Sequence, residues 1–117
     1  MSTFSHPDLD VDPQRVVSWR EATPDLQVVD VREAYEREAG HMPGSRHIEL
    51  ERLASEAESI DRERPVVFYC RLGARSAMAA QAFRASGYDA YTMTGGLERW
   101  AAEQRPLSPE DGHVADH

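Results

Sequence analysis

The sequence predicts an α/β domain, in which helices cover both faces of a parallel sheet. Short runs of β-branched and aromatic residues alternate along the chain with segments of helical periodicity, a pattern typical of such sheets. Glycine and proline separate the runs, as at Gly40 and Gly87. A chain of 117 residues with a 40% hydrophobic content supports one compact core and is too short for two domains.

The first predicted element is a helix within DVDPQRVVSWREA (10–22). Asp12 is a favourable N-cap, and Pro13 suits the first helical turn because no amide hydrogen is needed there. Val16 and Val17 contribute to an apolar stripe along the helix.

The next segments predict strand, helix, turn and strand. LQVVDV (26–31) is short and β-branched, which indicates a buried strand. REAYEREAG (32–40) predicts a short helix that ends at its glycine. The proline and glycine of HMPGS (41–45) interrupt regular structure and predict a turn, and RHIEL (46–50) predicts a second short strand.

The second half of the chain continues the alternation. LERLASEAESI (50–60) places its leucines, alanines and isoleucine on one helical face. PVVFYC (65–70) is the clearest strand, and RSAMAAQAFRASG (75–87) is a strong helix closed by its last glycine. YDAYTM (88–93) predicts another strand, and GGLERWAAEQ (95–104) predicts a helix after the double glycine.

Composition excludes several classes of function. The chain has 21 acidic and 13 basic residues and a net charge of -8, which argues against nucleic-acid or anionic-membrane binding. Lysine is absent, so mechanisms that need a Schiff-base lysine or a phosphate-binding P-loop lysine do not apply. The segment MSTFSHPDLDVD shows no signal-peptide pattern, and no apolar run approaches the ~20 residues that span a bilayer.

The single cysteine indicates both the compartment and the site. One cysteine forms no internal disulfide, and the cytoplasm, where thiols stay reduced, is the expected location. Cys70 ends the clearest strand just before a helix, and ligands of parallel sheets bind at such strand ends. A thiol is nucleophilic only as the thiolate. Three local features favour that form: the amides of the following helix, the flexible Gly73, and the charges of Arg71 and Arg75. The alternative is an inert cysteine buried at a strand end.

The length of the cysteine loop separates two kinds of chemistry. Protein tyrosine phosphatases place five residues between cysteine and arginine in a similar strand–loop–helix cradle. Four residues lie between Cys70 and Arg75 here, and Ser76 occupies the position of the phosphatase arginine. The smaller cradle suits one extra sulfur atom better than a phosphoryl group.

Three motifs together resemble the single-domain rhodanese family of sulfurtransferases. VVDVREAYEREAGHMPGSRHI (28–48) is similar to the opening motif, CRLGARS (70–76) to the active-site loop Cys-x-x-Gly-x-Arg-Ser, and GGLERW (95–100) to the closing Gly-Gly-x-x-x-Trp. Arg37 stands where the family often has an aromatic residue. The resemblance implies a rhodanese-like three-layer fold with a central, mostly parallel five-stranded sheet between helices.

The resemblance also sets the expected domain limits. It covers residues 12–106, so residues 1–11 are expected to be an N-terminal extension. Residues 107–117 are polar, and prolines stand at positions 106 and 109. This composition indicates a mobile tail. His113 and His117 lie in that tail and receive no role, and Trp100 is expected in the core, where it also borders the site.

The reaction that the resemblance implies is ping-pong transfer of a sulfane sulfur. The Cys70 thiolate attacks the outer sulfur of a donor such as thiosulfate, sulfite leaves, and an acceptor then removes the sulfur from the Cys70 persulfide. Expected donors are small sulfur-containing anions or a cysteine desulfurase. Expected acceptors are cyanide, a thiol or a small redox protein. No cofactor is expected, and no metal, because His41 has no second ligand at metal-binding spacing.

The loop residues receive individual roles. Arg71 is expected at the mouth, holding a dianionic donor, while Leu72, Gly73 and Ala74 contribute main-chain groups. Ser76 is expected either to cap the helix or to hydrogen-bond the thiolate, with capping preferred.

Support for the loop is expected from charged neighbours. Arg75 lies at a helix start, an unfavourable place for a cation, so it is expected to pair with a carboxylate and brace the loop, with Asp30 as the candidate. Arg32 is expected to be a salt-bridge brace, and His41 to brace the turn.

Two alternatives remain open at this point. One is a phosphatase or arsenate reductase on the same fold. The other is a binding module or a sulfur relay fed by a protein partner, with little turnover of free substrates.

Overall fold

The computed structural model describes residues 5–116 and contains one five-stranded, all-parallel sheet. The strands are β1 (Asp10–Val11), β2 (Gln27–Asp30), β3 (Arg46–His47), β4 (Val66–Tyr69) and β5 (Ala90–Met93). The helices are α1 (Pro13–Ala22), α2 (Ala34–Ala39), α3 (Leu53–Glu56), α4 (Ala74–Ala85) and α5 (Gly96–Ala102). The strand order is β1-β5-β4-β2-β3, which places β4 at the centre.

The central strand has an apolar cluster on each side. Phe68 of β4 faces α4, where its ring centroid lies 5.0 Å from that of Phe83. Val67 and Tyr69 face the opposite cluster, which contains Trp100 of α5. Because both faces of β4 are covered, all four of its residues are buried, and this explains the uninterrupted apolar run in the sequence.

The predicted α/β architecture with five parallel strands between helices is confirmed. The predicted helix over 50–60 is wrong in part, because only Leu53–Glu56 is α-helical and a 3₁₀ turn lies on each side. The hydroxyl of Ser55 donates to the carbonyl of Arg52 at 3.0 Å, and that of Ser59 donates to the carbonyl of Glu56 at 2.6 Å. Such local side-chain bonds compete with a regular helix.

Residues 107–116, which we call the strap, pack against the domain although the sequence predicted a mobile tail. Ser108 and His41 exchange main-chain hydrogen bonds of 2.8 and 3.0 Å, and the amide of His113 donates to the carbonyl of Ala39 at 2.9 Å. Val114 packs against the apolar cluster that contains Trp100. His117 lies outside the described residues, and the domain limits at 12 and 106 stay predictions.

The helices of the described chain are short. Within residues 5–116, none combines the length and the apolar composition needed to cross a bilayer.

Candidate active site

Strand β4 and helix α4 position the cysteine. Cys70 directly follows β4, and its side chain points into the cluster under α4 with 1% of its surface exposed. Gly73 has a φ of +115°, a conformation that strains any residue with a side chain, and its amide donates to Cys70 Sγ at 3.0 Å. Main-chain N–H groups that donate to a charged atom favour its charged form.

Ser76, in the first turn of α4, also lies near the sulfur. The amides of Ala74, Arg75 and Ser76 open this helix, where helices leave their first amides without intrahelical acceptors. Ser76 Oγ lies 3.5 Å from Cys70 Sγ and 2.7 Å from Thr92 Oγ1. The predicted capping role of Ser76 is wrong, because Gly73 is the N-cap and Ser76 lies inside the helix. Its hydroxyl is within reach of the thiol instead.

Helix α5 holds the outer side of the cysteine loop. The amides of Leu97 and Glu98 donate to the carbonyls of Cys70 at 2.8 Å and Arg71 at 3.0 Å. Gly96 permits this approach, because a Cβ on it would lie 2.4 Å from the carbonyl oxygen of Arg71. Gly96 therefore lets two main-chain segments, the cysteine loop and the start of α5, come into contact at the site.

These two bonds also orient the loop amides. In a planar trans peptide the carbonyl and the following N–H point in opposite directions. Because the carbonyls of Cys70 and Arg71 point at α5, the amides of Arg71 and Leu72 point to the other side of the loop. Helix α5 thus orients the N–H groups of Arg71 and Leu72 away from itself.

Arg75 braces the loop against α2. Its guanidinium donates to both carboxylate oxygens of Glu36, at 2.8 and 3.0 Å. The predicted pairing of Arg75 with Asp30 is therefore wrong. Burial alone would raise the pKa of Glu36, but hydrogen bonds from Arg75 and from the Glu33 amide hold that pKa below its ordinary value. The hydrogen bonds that Arg75 donates to Glu36 raise the pKa of Arg75, and the neighbouring Cys70 adds to the effect.

Asp30 forms a different ion pair, with Arg32, and this pair is fully buried. Its oxygens accept from Arg32 Nε and Nη2, each at 2.8 Å, and from the Arg32 amide at 3.0 Å. Arg32 Nη2 also donates to the carbonyl of Gly40 at 2.8 Å. Both side chains have no exposed surface. The pair joins the end of β2 to the end of α2, which fixes the helix that carries Glu36.

A buried tyrosine ties the turn after α2 to the centre of the sheet. Tyr69 Oη donates to Asp30 at 3.2 Å and accepts from the amide of Met42 at 3.1 Å. Burial raises the pKa of Tyr69 to about 12. Arg37, which stands where the resembled family often has an aromatic residue, donates to Ser45 Oγ at 3.1 Å and so secures the same turn by hydrogen bonding.

The surface beside the cysteine loop, which we call the mouth of the site, contains Arg71, Leu72 and Tyr35 and combines charge with exposed apolar area. Arg71 pairs with two carboxylates, Glu98 at 3.4 Å and Asp116 of the strap at 3.5 Å. Leu72 and Tyr35 expose 60% and 50% of their surfaces. The arginine expected to hold an anionic donor is therefore already paired.

The remaining predicted residues lie outside the cradle. His41 Nδ1 is 3.1 Å from the carbonyl oxygen of Arg37, at the start of the turn. Trp100 is buried and donates from Nε1 to the carbonyl of Pro106 at 2.7 Å. Residues 5–116 contain no group of three potential metal ligands.

Sequence reasoning missed two residues of the site, Glu36 and Thr92. A signal existed for each. Glu36 stands three positions after Glu33, a capping-box spacing that also marks a helix start. Thr92 is a polar residue near the carboxyl end of a buried strand, where sites of parallel sheets gather.

The fold and the site define an α/β protein with one cysteine in an amide-lined loop between a central strand and a helix. The model of the rhodanese-like domain family matches residues 12–103, and the chain belongs to that family. It is 36% identical to the thiosulfate sulfurtransferase GlpE of Pseudomonas aeruginosa, with 85% of this chain and 86% of the relative covered.

Two further comparisons give a second similar sequence and a structure of the same fold. The chain is 38% identical to the uncharacterized protein YqhL of Bacillus subtilis over 66% of its own length, and it spans 62% of that relative. A crystal structure of a rhodanese-like domain protein from Staphylococcus aureus has the same fold, with a TM-score of 0.75 and 21% identity. That match covers 93% of this chain and all of the other.

Proposed function

We propose that this protein is a sulfurtransferase that carries a sulfane sulfur as a persulfide on Cys70. The observation that carries the proposal is the 3.0 Å hydrogen bond from the Gly73 amide to Cys70 Sγ, in a loop whose carbonyls at Cys70 and Arg71 are bound by α5. Such preorganised donors stabilise charge on sulfur without needing to reorient during the reaction.

The first half-reaction forms the persulfide. The Cys70 thiolate attacks the outer sulfur of thiosulfate, the sulfur–sulfur bond of the donor breaks, and sulfite leaves with the bonding electrons. The product is a Cys70 persulfide anion. The outer sulfur lies toward the amides of the loop, and the Ser76 hydroxyl, 3.5 Å from Sγ, supplies another donor.

The second half-reaction regenerates the thiolate. Cyanide or an acceptor thiolate attacks the outer sulfur, and Cys70 leaves as the thiolate. Neither half-reaction needs a general base when the thiol is ionised, in keeping with a cradle that offers main-chain amides and a hydroxyl. Cyanide, low-molecular-weight thiols and a small redox protein are the proposed acceptors, and the cytoplasm is the proposed location.

Mass spectrometry of the intact protein tests the proposal. Incubation with thiosulfate should add the mass of one sulfur atom, and cyanide should remove it. Cys70→Ser should show no adduct and no transfer, with an unchanged circular dichroism spectrum. A persistent sulfur adduct in that variant, or no adduct in the unaltered protein with any sulfane donor, would overturn the proposal.

A protein-fed relay is the second candidate, and the exposed surface favours it. Leu72 and Tyr35 present apolar area beside the site, and a partner that carries a persulfide, such as a cysteine desulfurase, would cover it. Loading that is much faster from a desulfurase than from thiosulfate would identify this role.

A phosphatase or arsenate reductase is disfavoured by the arginine of the loop. The Arg75 guanidinium is already bound to both carboxylate oxygens of Glu36, so a phosphoryl group would have to compete with that carboxylate for it. Absence of aryl phosphate hydrolysis is the expected result.

A further inference from the structure

The strap brings a carboxylate to the mouth of the site. It is guided along α2 by close main-chain contacts: a Cβ on Gly112 would lie 2.9 Å from the carbonyl oxygen of Ala39, and His113 donates to that same oxygen. The strap then reaches Asp116, whose carbonyl accepts from Tyr35 Oη at 3.1 Å. This hydrogen bond holds the main chain of Asp116 beside α2.

The side chain of Asp116 meets the cysteine loop. Its Oδ1 lies 3.5 Å from Arg71 Nη2, and the carboxylate is 99% exposed. Glu98 contacts Arg71 from the other side, at Nε. One guanidinium therefore faces two carboxylates, and the local charge at the mouth is negative in spite of the arginine.

We propose that Asp116 is a specificity-determining residue that disfavours multiply charged anionic sulfur donors by occupying Arg71. A dianion such as thiosulfate has to displace the carboxylate to reach Nη2, whereas a donor with less charge, such as a thiol persulfide, does not. This role rests on the proposed function of Cys70. Because the carboxylate is exposed, its effect is moderate and falls as salt screens it.

The test compares an anionic and a neutral reagent at the same thiol. Iodoacetate and iodoacetamide alkylate the only cysteine of the chain, so the ratio of their rates reports the local charge. Asp116→Asn should raise the iodoacetate to iodoacetamide ratio about two- to fivefold at low salt, and roughly 1 M salt should remove the gain. Asp111→Asn is the matched control, since it removes an exposed strap carboxylate that does not contact Arg71.

A double-variant cycle identifies the mechanism. In an Arg71→Ala background, Asp116→Asn should change the ratio no more than Asp111→Asn does. An unchanged ratio in the single variant, an equal gain in the Asp111 control, a gain that persists without Arg71, or a thiol that reacts with neither reagent would each overturn the inference.

Sulfur loading separates this inference from the proposed function. Asp116→Asn should raise kcat/KM for thiosulfate by the same two- to fivefold factor. If no donor loads any variant while the alkylation ratio responds, the sulfurtransferase proposal fails, and only the effect of the Asp116 charge on anionic reagents at the thiol stands. If wild-type protein loads sulfur and the ratio does not respond, the reverse holds.

Discussion

Arg75 and Glu36 form a two-point ion pair in which Nη1–Oε1 and Nη2–Oε2 are 2.8 and 3.0 Å apart. The carboxylate has no exposed surface, and the arginine exposes 20% of its side chain. This pair connects the first turn of α4 to α2 and so holds the loop that contains the cysteine. It also neutralises a cation that would otherwise oppose the helix dipole.

Removing the arginine should leave a buried carboxylate without its partner. Arg75→Met is expected to lower the free energy of unfolding by about 3 kcal/mol, because the remaining charge of Glu36 is desolvated. Urea denaturation measures this change. The double variant Arg75→Met/Glu36→Met should recover part of the loss, and a double variant that is less stable than the single one by a further similar amount would contradict the pairing.

The same pair predicts a pH dependence of stability. The folded pKa of Glu36 lies below the ordinary value of 4.5, so the folded state binds fewer protons than the unfolded state around that pH. The stabilisation is therefore complete at neutral pH and is lost as the pH falls through 4.5 toward the folded value. Urea midpoints measured from about pH 7 to about pH 3 should fall less steeply in Glu36→Gln than in the unaltered protein. The exposed Glu38, on the same helix, provides the control variant Glu38→Gln, which should keep the full slope.

Gly96 is predicted to be intolerant of any side chain. In Gly96→Ala the new Cβ would lie 2.4 Å from the Arg71 carbonyl oxygen, and the φ of +58° adds strain. The expected result is a loss of more than about 1 kcal/mol of stability together with slower sulfur loading, because the loop must shift. Gly87→Ala is the matched control. Its φ is also positive, at +91°, but its Cβ would meet only the side chain of Arg62 at 3.3 Å, so loading should be unaffected.

Thr92 is predicted to position the Ser76 hydroxyl. The two hydroxyl oxygens are 2.7 Å apart, and a proton donated by Thr92 frees the Ser76 proton for Cys70 Sγ or the Gly73 carbonyl. Thr92→Val keeps the shape and removes the hydroxyl, so sulfur loading should slow roughly two- to tenfold. Thr92→Ser should restore the rate. If valine and serine at this position give equal rates, the hydroxyl has no such role.

The fold was predictable because its signals are local and repeated. The run in β4 is apolar throughout since both faces are covered, and Gly73 and the double glycine mark turns that require positive φ. The predicted helix over 50–60 failed where serine hydroxyls bind the main chain, a competition that the apolar pattern does not reveal.

The site was predictable in its centre and less so at its edges. Cys70, Gly73 and Ser76 lie in one short segment, so their spacing alone brings them together. The partner of Arg75 depended on the rotation of α2, and Asp30 was already bound by Arg32 two residues away. Likewise, no local pattern indicated that the strap would fold back onto α2 and place Asp116 beside Arg71.

The strand order has a consequence for how the chain reaches its final state. Asp10 pairs with Thr92, so β1 leaves the ribosome before the other strands of this sheet and is among the last to find its neighbour. Pairing over so long a separation closes a large loop and is intrinsically slow. A nascent chain that ends before Ala90 leaves β4 with an unprotected edge, and such edges promote association between chains.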